Sequence, residues 1–92
     1  MKRIEIISLR TSGHCEQQAR EYMRKYCRLA KKHNLSEADF YIHAFIPCDL
    51  ALVISSQVQE GKDEEMDLGR YMAVLLKQFG LVDYNCWLMI ED

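Results

Sequence analysis

His43 is the residue of this sequence best suited to proton chemistry. It falls inside ADFYIHAFIPCDLALVISSQ, residues 38–57, a run rich in β-branched and aromatic side chains. On a strand, Tyr41 and Phe45 share its face, so the imidazole would stand between two rings as a general base or a ligand-orienting group. Trp87 and Asn85 alternate in the last apolar segment, LVDYNCWLMIED, and would add a stacking ring and an amide if that strand adjoins. Tyr41, His43, Asn85 and Trp87 are therefore the candidate ligand-binding set, with His43 the candidate catalytic residue. Two of them also have a plainer use, His43 as a hydrogen-bonded packing residue and Trp87 as core or interface.

Cys15 follows His14 at the expected start of a helix, where unpaired backbone N–H groups favour a thiolate and would make it nucleophilic. The same position belongs to an apolar stripe with Ala19 and Tyr22, which instead suits a buried, inert thiol. The four cysteines, Cys15, Cys27, Cys48 and Cys86, form no C-x-x-C pair, so free thiols are expected, with Cys48 exposed in a turn and Cys27 and Cys86 at core positions. A metal site built from His14, Cys15 and His33 would need the two ends of one long helix to meet, so no metal is implied. There is no Walker A loop, GxGxxG, HExxH or G-x-S-x-G, and no cofactor is implied. Nothing in these motifs selects between an enzyme and a binding protein.

The strands and helices that carry these residues belong to a chain of 92 residues, the size of one domain spanning 1–92. Hydrophobic residues make up 49% and charged residues 28%, which is ordinary globular usage and argues against disorder. A net charge of -2 argues against a nucleic-acid binder. Half of the twelve basic residues, Arg20, Arg24, Lys25, Arg28, Lys31 and Lys32, crowd the first helix. That stripe is a candidate surface for an acidic partner, but its bias toward the helix C-terminus also suits the helix dipole, and a solvated face accounts for it. The N-terminal MKRIEIISLR breaks its apolar stretch with charge, and no run approaches the roughly 20 apolar residues of a membrane span. No membrane partner is expected, and the cytoplasm is the expected location.

Residues 2–9 read as a first strand, in which the apolar parity changes between Ile6 and Ile7; either both faces are partly buried or a bulge intervenes. A helix follows, capped by Ser12 or Gly13, with Cys15, Ala19, Tyr22, Met23, Tyr26, Cys27 and Ala30 at spacings of three and four and an end near His33 and Asn34. Pro47, Cys48 and Asp49 suit a tight turn between two strands. If Ile46 and Asp49 close that turn, Phe45 faces Leu50, His43 faces Leu52 and Tyr41 faces Ile54, while Ala44 meets Ala51 and Ile42 meets Val53 on the reverse side. A polar connection over residues 57–63 leads to a second helix marked by Met66, Leu68, Met72, Leu75, Leu76 and Phe79, which Gly80 can end, and a fourth strand closes the chain.

The order βαββαβ predicts an α+β, ferredoxin-like sandwich: a four-stranded antiparallel sheet with two helices on one face. Tyr41, Phe45, Leu50, Leu52 and Ile54 would lie on one side of the hairpin and Phe40, Ile42, Ala44 and Val53 on the other, too apolar on both for water. A homodimer through the open sheet face is therefore expected. By this element order and its two-sided strands the chain resembles the dimeric α/β-barrel superfamily, which includes antibiotic-biosynthesis-type monooxygenases and small ligand-binding proteins. The resemblance covers the whole chain and implies sheet-to-sheet pairing and a pocket between each sheet and its helices; it carries no motif and assigns no residue. Two functions follow as expectations: binding of a small apolar or aromatic ligand or a protein partner, and alternatively a cofactor-independent monooxygenase-like reaction with His43 as proton acceptor.

Overall fold

The computed structural model describes residues 1–32, 37–57 and 68–90. Strand β1 (Lys2–Thr11) leads into helix α1 (Glu16–Lys32), followed by β2 (Glu37–Ile42), β3 (Asp49–Gln57), α2 (Leu68–Leu76), a 3-10 turn (Lys77–Phe79) and β4 (Gly80–Leu88). The expected helix end at His33 and Asn34, the helical position of Met66 and the connection over residues 58–63 lie outside the described residues.

Helix α1 forms where the threefold and fourfold spacing of small and apolar residues gives it one side to bury. Ala19, Met23 and Ala30 are buried on that side. At its start the Ser12 carbonyl accepts the Cys15 N–H at 2.8 Å. Glu16 then pairs with Arg20 at 2.7 Å, one turn on, with the acid nearer the positive end of the helix. Lys31 and Lys32 occupy the last turn, where the dipole favours cations. At the other end of the chain, α2 tightens into the 3-10 turn and stops at Gly80. A side chain there would collide with the Arg10 carbonyl, because Gly80 pairs directly with Thr11 on β1.

The sheet order is β2-β3-β1-β4 and every neighbouring pair is antiparallel. With the element order, this is the ferredoxin-like α+β sandwich that the sequence predicts. Ile7 and Leu9 of β1 and Leu50, Leu52 and Ile54 of β3 form the buried side of the sheet, joined by Met23 of α1 and Met72 and Leu76 of α2. Tyr22 and Phe79 meet edge to face at 5.7 Å and close one end of this core. The parity change at Ile6 and Ile7 needs no bulge, since β1 pairs without interruption on both sides: Ile7 enters the core and Ile6 faces away from it.

The hairpin differs from expectation in one instructive respect. The tight turn is present, with the Asp49 N–H bonded to the Ile46 carbonyl at 3.1 Å. The strands do not resume pairing beside it. His43 to Cys48 form a wider loop, and the ladder closes only where the His43 N–H meets the Asp49 carbonyl at 2.8 Å. Tyr41 therefore pairs with Ala51 and Ile42 with Leu50, a shift of three positions from the expected register. An odd shift exchanges the two faces of β2. Phe40 packs on the core with the Arg24 guanidinium over its ring at 5.7 Å, and Ile42 shares that face, whereas Tyr41 moves to the side without helices. Phe45 and Ala44, expected on sheet faces, sit exposed in the loop.

Candidate functional site

The side of the sheet away from the helices falls into rows running β2, β3, β1, β4. Glu37, Ser55, Ile4 and Trp87 form one row, and Asp39, Val53, Ile6 and Asn85 the next. Tyr41, Ala51, Ser8 and Asp83 follow, then His43, Asp49, Arg10 and Leu81 at the hairpin end. Apolar side chains run diagonally across this face from Trp87 through Ile4, Ile6, Val53 and Ala51 to Tyr41. The exchange of β2 faces also delivers Glu37 and Asp39 here in place of Phe40 and Ile42. This face is therefore a mixture of apolar and charged groups, less apolar than the sequence suggests.

The lower two rows form a groove of about 420 Å³. Its cause is side-chain size: Ser8 and Ala51 occupy the two central strands and leave a low floor between taller residues on the edge strands. Tyr41 on β2 makes one wall, and Leu81 and Asp83 on β4 make the other. The end is stopped by a two-pronged ion pair, Arg10 Nε to Asp49 Oδ1 at 2.9 Å and Arg10 Nη2 to Asp49 Oδ2 at 3.1 Å. The Arg10 guanidinium holds the Asp49 carboxyl below the usual carboxylate range, so the two charges offset one another. Asp83 has a different setting: it is exposed, and its contact is the neutral Asn85 amide, which donates to Oδ2 at 3.2 Å.

Of the four candidate residues, Tyr41 and His43 line this groove. Asn85 reaches it only through Asp83. Trp87 lies on the same face in the far row, 60% exposed, and does not line this groove. His43 does not lie mid-strand. It stands just past the end of β2, exposed, and its Nδ1 accepts the backbone N–H groups of Phe45 and Ile46, each at 3.1 Å. A nitrogen that accepts two N–H bonds carries no proton, so in the neutral ring the hydrogen is on Nε2, and the free side of His43 donates rather than accepts.

A second polar cluster lies on the helix side near the start of β1, and sequence reasoning missed it. Glu5 is only 5% exposed. Its Oε2 accepts the Tyr84 hydroxyl at 2.9 Å, and its Oε1 lies 3.5 Å from Arg3 Nη2. Arg3 Nε in turn donates to Cys86 Sγ at 3.1 Å, which places Cys86 exposed at the margin rather than in the core. The available signal was parity: Glu5 shares its strand face with Ile7 and Leu9. Cys15 is half-buried against the core, as are Tyr26 and Cys27. Burial pushes the Tyr26 phenol and the Cys27 thiol up, with the charges of Glu5 and Asp39 adding to the respective shifts. Among the described residues all four cysteines are free thiols, no group of three or more His, Cys, Asp or Glu is placed to hold a metal ion, and no helix is long and apolar enough to cross a membrane.

A solved structure of a conserved protein of unknown function from Bacteroides thetaiotaomicron VPI-5482, described as a possible oxidoreductase, is similar in fold. The TM-score is 0.69 at 10% sequence identity, covering 94% of this chain and 94% of that one. At that identity the likeness supports the sandwich architecture over almost the whole chain and says nothing of individual side chains. No protein-family model matches the sequence, and no curated protein does either.

Proposed function

We propose that the protein binds a small aromatic or apolar ligand in the groove above Ser8 and Ala51, on the open side of the sheet rather than between the sheet and its helices, and acts as a homodimer through that open side, the pairing that its resemblance to the dimeric α/β-barrel superfamily implies. The observation that carries the reading is the low floor between Tyr41 and Leu81, a concavity of drug-fragment size with an aromatic wall, an aliphatic wall and a lining surface that is mostly apolar. The two ends of the uncovered face divide the work. Ile4, Ile6, Val53 and Trp87, at the end away from the groove, supply the apolar contact for a second copy, which leaves the groove beside the interface. The four strands, six to ten residues long and about 4.8 Å apart, give the uncovered face roughly 500–600 Å² before side-chain relief, of which the second copy takes the part beyond the groove. Four cysteines without disulfide spacing suit a reducing, cytoplasmic setting.

The test combines native mass spectrometry with chemical-shift mapping against a panel of small aromatic compounds. Two subunits in the native spectrum and shifts centred on Ser8, Tyr41, Ala51 and Leu81 are expected. A monomer at high concentration, or shifts confined to the opposite side of the sheet, would defeat the proposal. The oxygenase alternative needs His43 as a proton acceptor, and the tautomer held by Phe45 and Ile46 opposes it.

A further inference from the structure

We infer that the ligand of this groove carries a cationic group, an ammonium attached to an aromatic ring by a short chain, and that Asp83 selects it. The inference rests on the ligand-binding reading above and names the chemistry of its ligand. Among the charged side chains that line the groove, Arg10 is engaged by both carboxylate oxygens of Asp49, and that pair is neutral as a unit. Asp83 remains, with the neutral Asn85 amide as its contact among the described residues, so the groove bears a net negative charge on one wall. An anionic ligand would meet that charge with no unpaired Lys or Arg among the described residues lining the groove to offset it.

The opposite wall supplies the complement. Tyr41 is 54% exposed and presents a ring across the floor. Tyr41 and Asp83 stand in one row on the two edge strands, three inter-strand gaps apart, so their Cα atoms are separated by about 14 Å. The two side chains take up part of that span. A ring stacked on Tyr41 and an ammonium at the Asp83 carboxylate, joined by two or three methylenes, fill the remainder, while Ala51 and Ser8 leave room for the chain between. Exposure on both walls keeps the charge term modest, roughly fivefold in Kd for one pair.

The experiment uses three compounds of one shape on the full chain at low salt: 3-phenylpropylamine, 3-phenylpropanol and 3-phenylpropionate, titrated by chemical-shift perturbation. The amine is expected to bind roughly fivefold or more tightly than the carboxylate, with the alcohol between them. Asp83→Asn should bring the three together, and Tyr41→Ala should weaken all three alike. Equal binding of the three by the unaltered protein, tighter binding of the carboxylate, or a preference that survives Asp83→Asn overturns the cation assignment and leaves the groove reading intact. No shift by any of the three compounds, or shifts that persist unchanged in Ala51→Leu, overturns both.

Discussion

Tyr84 and Glu5, 79 positions apart in the chain, are joined by a 2.9 Å hydrogen bond from the phenol to the buried carboxylate Oε2. The bond ties the edge strand β4 to β1 beneath the helix layer. Removing the donor leaves a buried charge with one partner fewer, so Tyr84→Phe should cost about 1–3 kcal/mol in denaturant unfolding. The same carboxylate occupies the place of a side chain at Gly69, in the first turn of α2. Gly69→Ala should therefore destabilise, although alanine is the better helix former by about 1 kcal/mol. Adding Glu5→Ala should remove most of the penalty specific to Gly69→Ala, and independent penalties would show that the two positions do not touch.

Acid titration should expose the Arg10 pair. Asp49 has its folded pKa depressed by the Arg10 hydrogen bond and charge, so its contribution is present above the unfolded carboxylate value and fades as pH falls through the lower folded value. In Arg10→Gln the Asp49 carboxyl should titrate near the ordinary value of about 3.9, followed by carboxyl-carbon NMR. An unchanged midpoint would mean that the ion pair does not form in solution.

At the alkaline end the sign reverses. Burial raises Cys27 and Tyr26 in the folded state, so the unfolded chain ionises first and stability declines once pH passes the ordinary thiol range of about 8.5. Asp39→Asn should lower the folded Cys27 value toward the unfolded one, so that the decline becomes smaller while its onset stays where the unfolded thiol ionises. Alkylation mapped by mass spectrometry should find exposed Cys86 modified before Cys27.

Two apolar residues on the far rows of the uncovered face test self-association. Val53→Asp or Ile6→Asp should convert a dimer to monomer by light scattering, with thermal stability changed little because neither side chain enters the core cluster. A dimer that survives both substitutions would place the interface elsewhere.

His43→Ala removes the acceptor for two backbone N–H groups, so amide exchange at Phe45 and Ile46 should quicken while the core amides of β1 hold. Those two bonds also explain where sequence reading stopped. The stripe of α1, the four strands and the turn at Ile46–Asp49 were all legible, because spacing and turn chemistry are local. The register of β2 was not, since it depends on an imidazole folding back onto the two backbone groups beyond it, and a three-residue slip then carried Tyr41 to the other side. Ser8 and Ala51 went unnoticed for a related reason: a small residue announces nothing until its taller neighbours are known. Glu5 could have been found, as an acid in phase with Ile7 and Leu9.

The groove floor has a consequence for how this protein can change over time. Ser8 stands between Ile7 and Leu9, and Ala51 between Leu50 and Leu52, yet the flanking residues hold the fold together from the far side of the same strands. Because neighbours in a strand point to opposite layers, substitutions at 8 and 51 can resize the cavity with little effect on what keeps the domain folded. Groove size and robustness are thus set at separate positions, and selection can adjust the first while leaving the second alone.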